Sequence, residues 1–239
     1  MKEIELKLSL LEDDPKALFD HPLINHYAKD PSITFDLKTT YYDTDDFALL
    51  KAGIALRIRE DENGDYIQTV KTKGTQVQGL HQRDEYDNTL HTNALDLQTI
   101  DMPDLRQQLL EIAKTQTIKA LFHTQFSRTK WLLELPKQCL VELVLDLGEV
   151  VAGKSSIPLQ EIELELVQGK AMDCLFELAA SIAGSMPIAI EDRSKAWKGY
   201  QLYQAIAASK AYHDPRLQER QLPDFFLEQA ALLRAGAIH

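Results

Sequence analysis

Glu3, Glu5 and Lys7 occupy alternate positions in Glu3-Ile4-Glu5-Leu6-Lys7-Leu8, and Glu161, Glu163 and Glu165 do the same in Glu161-Ile162-Glu163-Leu164-Glu165-Leu166. Alternate residues of a β-strand share a face, so each segment would carry charge on one side and aliphatic residues on the other. One such strand reads as a wet surface strand. Two with aligned carboxylates suggest a common wall that holds something cationic. Basic residues recur with the same period: Arg57 and Arg59, then Lys71 and Lys73 in phase with Thr69, then Arg83 in phase with His81 and Glu85. Arg128 and Lys130 come later, and Glu142, Val144 and Asp146 share a face beyond them.

The bulk numbers narrow the classes. The chain has 239 residues, 44% hydrophobic and 26% charged, which suits an ordinary globular protein with a sizeable core. A net charge of -11 argues against a nucleic-acid binder. Cys139 and Cys174 are too few for a disulfide framework or a zinc site and read as inert. No apolar run approaches the ~20 residues of a membrane span. The N-terminus passes straight into a strand with no signal peptide, so a cytoplasmic location is expected.

The elements that must carry these charges follow from pattern and punctuation. Asp13-Asp14-Pro15 offers a helix start, and Pro22 interrupts the helical run from Leu18 to Tyr27. Strands are expected at 38–44, 54–60, 66–73, 80–86, 118–128, 129–135, 140–148 and 159–167 besides the first. Asn63-Gly64 marks a hairpin. Helices are expected around 95–112, over 171–183, from a Ser194 cap to 208, and over 223–234. His213-Asp214-Pro215-Arg216 is linker-like, which divides the chain into a domain at 1–208 and a C-terminal helical tail at 209–239.

Strands with one charged and one aliphatic face could form an open sheet with a wet side, or a closed barrel with a polar lumen. The helices need the aliphatic faces, which favours the barrel. An eight-stranded barrel can be filled by side chains or hold one small ligand. The expected fold is therefore α+β: a closed eight-stranded antiparallel barrel, or tunnel, with helices packed outside. Unpaired buried charges cost several kcal/mol each, so the mixture of basic residues and carboxylates calls for a ligand of both signs. A polyanion with its own divalent metal fits: Arg and Lys for phosphate, carboxylates for Mg2+ or Mn2+. Tripolyphosphate or a nucleoside triphosphate is the natural candidate, and no Gly-rich phosphate loop is present.

Glu3-Ile4-Glu5-Leu6-Lys7 resembles the ExExK signature of the CYTH superfamily, the triphosphate tunnel metalloenzymes. The segments around Arg57-Ile58-Arg59, Thr69-Val70-Lys71, His81-Gln82-Arg83, Ser127-Arg128, Asp146, Glu161-Ile162-Glu163-Leu164-Glu165 and Ser194-Lys195-Ala196-Trp197-Lys198 resemble it too, in order, over roughly residues 1–205. The branch it is most similar to is the bacterial inorganic triphosphatases, many of which continue into a CHAD domain. The stretch after the match is too short for a full one, which leaves any role of that domain in doubt.

The resemblance implies that Lys7, Arg57, Arg59, Lys71, Lys73, Arg83, Arg128 and Lys195 hold the triphosphate. It assigns the metals to Glu3, Glu5, Asp146, Glu161, Glu163 and Glu165, with Glu161 and Glu163 as the principal late pair and Glu165 nearer a mouth. Glu5, Glu163, Lys7 and Arg57 form the expected catalytic group. The implied chemistry is two-metal hydrolysis of a phosphoanhydride, with no side-chain nucleophile. A class IV adenylate cyclase, a thiamine triphosphatase and a non-catalytic polyphosphate-binding module are the rival expectations. The implied partner is tripolyphosphate, without nucleic acid or membrane, and the residues leave monomer and dimer open.

Overall fold

In a computed structural model the described residues are 2–11, 15–61, 63–169, 172–208 and 221–235. The Asp13-Asp14 helix start and the 213–216 linker lie outside them. The strands run β1 (Lys2–Leu10), β2 (Ile33–Asp43), β3 (Ala55–Glu60), β4 (Tyr66–Lys71), β5 (Thr75–Val77), β6 (Leu80–Leu90), β7 (Lys119–Leu135), β8 (Cys139–Ala152), β9 (Ser155–Gln168) and β10 (Ile188–Ile190). The helices are α1 (Lys16–Phe19), α2 (Pro22–Tyr27), α3 (Ala48–Lys51), α4 (Pro103–Thr115), α5 (Asp173–Ser185), α6 (Lys195–Ala207) and α7 (Pro223–Arg234). Pro22 opens α2, which is why the first helical run splits in two. The expected strands 118–128 and 129–135 are one continuous strand, β7, paired along its length with β8.

The sheet order β1-β9-β8-β7-β2-β3-β4-β6 closes through antiparallel pairing of β6 back onto β1, giving the eight-stranded barrel. Closure removes the exposed edges that an open sheet would leave. β1 pairs with β6 over Lys2–Leu6 and with β10 over Leu8–Leu10. Gly79 marks this exchange: its carbonyl accepts from Lys7 N at 2.9 Å, and its φ of +79° suits glycine.

The alternation works as expected. Leu6, Leu8 and Leu10 of β1, Leu143 and Leu145 of β8, and Ile162 and Leu164 of β9 point outward into a core with α5 and α7. Leu56 and Val70 pack outward with Leu105 and Leu109 of α4. Burying these faces outside leaves the charged faces for the lumen. The two cysteines are not separate: Cys139 at the start of β8 and Cys174 in α5 form a disulfide, against the expectation of inert thiols. α7 packs on α5, joined to it through Arg234 to Asp173 at 3.0 Å and to Glu177 at 2.6 Å, and lines no part of the lumen.

Candidate active site

The lumen holds a cavity of about 990 Å³. Its walls are unlike. β1, β9 and β8 contribute Glu3, Glu5, Glu163, Glu165 and Glu142, while β3 and β4 contribute Arg57, Arg59 and Lys71. β6 and β7 add Arg83, Glu85, Arg128 and Lys130, and β2 presents the uncharged Phe35, Leu37, Thr39 and Tyr41.

Register decides who meets whom. Glu5 lies directly opposite Glu165 on one side, and Glu142 lies opposite it on the other. Like charges in cross-strand pairs are destabilising. Glu5 is relieved by Arg83 at 2.8 Å and Glu142 by Lys130 at 2.8 Å. Glu3 is bridged by Lys71 at 2.8 Å and Arg83 at 2.9 Å. Burial raises Glu3, yet these two cations outweigh it and hold the carboxyl well below its usual range. Glu165 has no ion-pair partner among the described residues. Burial, then Glu3, Glu142 and Glu5, push it up from 4.5 to about 7.

The basic wall shows the converse. Arg57 reaches Glu85 at 3.0 Å, and Lys71 reaches the same carboxylate at 2.7 Å. Arg59 makes no ion pair among the described residues, and Arg57 beside it, then burial, lower its affinity for a proton. The Nε atoms of both arginines are buried with no hydrogen-bond acceptor. β3 and β9 are four strands apart in either direction around the eight-stranded ring, so Arg59 and Glu165 stand on opposite walls.

One end of the lumen is filled. α6 enters there, its first turn capped by Ser194 Oγ, which accepts from Trp197 N at 3.1 Å. Gly199 lets α6 lie on Phe122, where a Cβ would come within 1.9 Å of the ring. Tyr41 stacks on Phe122 at 4.8 Å, and Tyr200 meets that ring edge-on at 5.2 Å. The helix drives Lys195 against Asp146 Oδ2 (2.8 Å), Glu161 Oε2 (2.7 Å) and Glu163 Oε1 (2.8 Å). Lysines in a first turn oppose the helix dipole, and these carboxylates offset that cost. Lys7 pairs with Glu163 as well. Burial raises Glu161, but Lys195, Lys198 and Lys7 together hold it down at about 2. The oxygens of Asp146, Glu161 and Glu163 lie within 4.8 Å of one another, a spacing that could hold a metal ion. The Lys195 ammonium group already contacts all three.

The CYTH domain family profile matches residues 1–200. The chain belongs to the CYTH domain family. A curated relative, an inorganic triphosphatase of Haemophilus influenzae, is 33% identical over 207 residues, covering 84% of this chain. This CYTH chain spans 55% of that relative's length. A Hippeastrum structure, described as an adenylyl cyclase with a dominant triphosphatase activity, aligns with TM-score 0.52 and 17% identity, over 91% of this chain and all of the other. A Bacillus halodurans structure described as an adenylate cyclase aligns with TM-score 0.51 and 21% identity, over 81% and 96% of the two chains. Both likenesses concern the fold.

Within the CYTH barrel the residues singled out from sequence fall into three places. Glu3, Glu5, Lys7, Arg57, Arg59, Lys71, Arg83, Arg128, Glu163, Glu165 and Lys195 line the cavity. Asp146 and Glu161, each 0% exposed, are not part of that lining, to which β9 contributes the glutamates Glu163 and Glu165. Lys73 is exposed and lines nothing, because β4 ends at Lys71 and the chain turns away before it. His81 is a buried lumen neighbour whose Nε2 lies 3.3 Å from the carbonyl of Glu191. Lys198 and Glu191, both buried, were not singled out. Lys198 had a signal, since it sits three residues after Lys195 on one helix face; Glu191 had none.

Proposed function

We propose that this chain hydrolyses inorganic triphosphate to pyrophosphate and orthophosphate with Mg2+ or Mn2+. The observation that carries the reading is a pair of groups across one cavity, Arg59 on β3 and Glu165 on β9, each without an ion-pair partner among the described residues. A carboxylate flanked by two glutamates asks for a cation, and guanidiniums with buried, unaccepted N–H donors ask for an anion. A metal-bound triphosphate supplies both.

Arg57, Arg59, Lys71, Arg83, Arg128 and Lys7 would bind the phosphate oxygens, and fixed cations of this kind stabilise the charge that spreads over a transferring phosphoryl group. Glu3, Glu5, Glu163 and Glu165 would hold the metals. A bound divalent ion neutralises phosphate charge and makes water more acidic. Water attacks a terminal phosphorus, the adjoining bridging P–O bond breaks, and pyrophosphate leaves. No residue of the chain is modified. In this reading residues 1–208 are the tunnel domain and 209–239 a helical tail. A cytoplasmic location goes with it.

The test is phosphate release from tripolyphosphate, ATP and thiamine triphosphate in parallel, with Mg2+, with Mn2+ and with chelator. Fast, metal-dependent release from tripolyphosphate is the expected result. Preference for an organic triphosphate, or cyclic AMP and pyrophosphate from ATP, would move the chain to a sister activity. No turnover of any would leave a binding module.

A further inference from the structure

Two buried residues outside the cavity wall, Lys198 and Glu191, have no part in the reading above. Glu191 follows β10 and is 0% exposed. It accepts from Ser9 Oγ at 2.8 Å, and from the backbone N and the Nε of Arg193 at 2.9 and 2.8 Å. Its Oε2 lies 2.9 Å from Lys198 Nζ. Lys198 in turn donates to Glu161 Oε1 at 2.5 Å, while Lys195 holds Glu161 Oε2 at 2.7 Å. Glu161 thus gives one oxygen to each lysine, and Lys198 divides itself between Glu161 and Glu191.

We propose that Lys198 and Glu191 are positioning residues that set how tightly the carboxylates hold Lys195, and so how readily Lys195 turns to a triphosphate oxygen. The proposal rests on the tunnel binding triphosphate. Lys195 is the member of this cluster that both lines the cavity and touches three carboxylates. A lysine wholly committed to its own carboxylates has little to offer an incoming anion. By neutralising half of Glu161, Lys198 loosens that commitment. Removing the Lys198 charge leaves Glu161 to Lys195 alone, which draws Lys195 away from the cavity. Removing the Glu191 charge leaves Lys198 to Glu161 alone, which frees Lys195. The two substitutions therefore act in opposite directions, whereas a network that only props up the fold would lose affinity in both.

The experiment is calorimetric titration of tripolyphosphate, with chelator present so that it is not turned over, into the full chain and its Lys198→Met, Lys198→Arg and Glu191→Gln variants. Tripolyphosphate turnover and melting temperature are measured beside it. Lys198→Met should weaken binding about tenfold, the scale of one charge-assisted hydrogen bond, with kcat changed less than KM. Lys198→Arg should stay close to the unsubstituted protein, and Glu191→Gln should bind as tightly or more tightly. Weaker binding by Glu191→Gln, or no rescue by Lys198→Arg, would overturn the proposal, and these two arms decide it even if Lys198→Met does not fold. Affinity is read independently of turnover. Binding without hydrolysis by the unsubstituted protein would end the triphosphatase reading while the variants still judge the positioning role, and no binding at all would overturn both.

Discussion

The two parts of the lumen are built from the same residue types and behave differently. At the end capped by α6, Lys7, Lys195 and Lys198 interleave with Asp146, Glu161, Glu163 and Glu191, and every one of these is at most 8% exposed. In the open part, Arg59 and Glu165 stand on opposite walls of a cavity of about 990 Å³, without ion-pair partners among the described residues. Charge alone does not mark a binding site. The closed end spends its electrostatics on itself, since buried pairs must satisfy each other to be tolerated. The open part leaves Arg59 and Glu165 without ion pairs among the described residues, which is where a ligand gains most.

The sharpest way to break this comparison is to remove the unmatched arginine. Arg59→Ala should lower kcat/KM for tripolyphosphate about 100-fold, the usual loss for one fixed donor to a developing oxyanion. It should leave the melting temperature unchanged or higher, because it deletes a cation on which Arg57, burial and Arg128 together outweigh the attraction of Asp87 and Glu85. A thermal loss with little kinetic change would mean that Arg59 is structural. Glu165→Gln comes next, weakening Mn2+ affinity about tenfold in a titration, while Glu161→Gln should chiefly cost stability. Equal effects of the two on metal affinity would erase the distinction drawn between the ends. Gly199→Ala, which presses α6 off Phe122, should destabilise by about 1–3 kcal/mol in a denaturant titration.

Acid should separate the ends as well. Glu165 keeps a proton up to about pH 7 that the unfolded chain releases near 4.5, so its contribution falls as pH rises through that window. Metal-free protein should therefore lose some thermal stability between pH 5 and 7, and Glu165→Gln should flatten that slope. Glu161, held at about 2, contributes stability that is fully present above 4.5 and is lost as pH falls toward 2. The smallest effect expected is from Lys73→Ala, with tripolyphosphate kinetics within about twofold of the unsubstituted protein, as befits an exposed side chain away from the site.

Much of this was legible in the chain. Period-2 charge in β1, β3, β6 and β9 announced a lumen, and the aliphatic partners of those charges announced where the helices pack. Arg59 and Glu165 were both recognisable as lumen residues. Their lack of partners was not, because it depends on register across strands distant in sequence, and a one-residue slip reverses every facing. Three in-phase glutamates on β9 look equivalent until Ser9, Lys7 and Glu5 on β1 are set opposite Glu161, Glu163 and Glu165 in turn. Lys73 is in phase with Lys71 but lies past the end of β4, so the period does not carry it into the lumen. Glu191 reaches the site only through β10, a three-residue strand with no pattern of its own.

The metal and the triphosphate are expected to occupy the open part and to leave the closed end intact. A crystal structure with tripolyphosphate and Mn2+, using the anomalous signal of manganese, tests it most directly. A manganese peak is expected at Glu165 with Glu3, Glu5 or Glu163, with phosphate oxygens at Arg57 and Arg59, and Asp146 and Glu161 still bridged by lysine. A peak seated among Asp146, Glu161 and Glu163 in place of the Lys195 ammonium group, with Arg59 untouched, would contradict it.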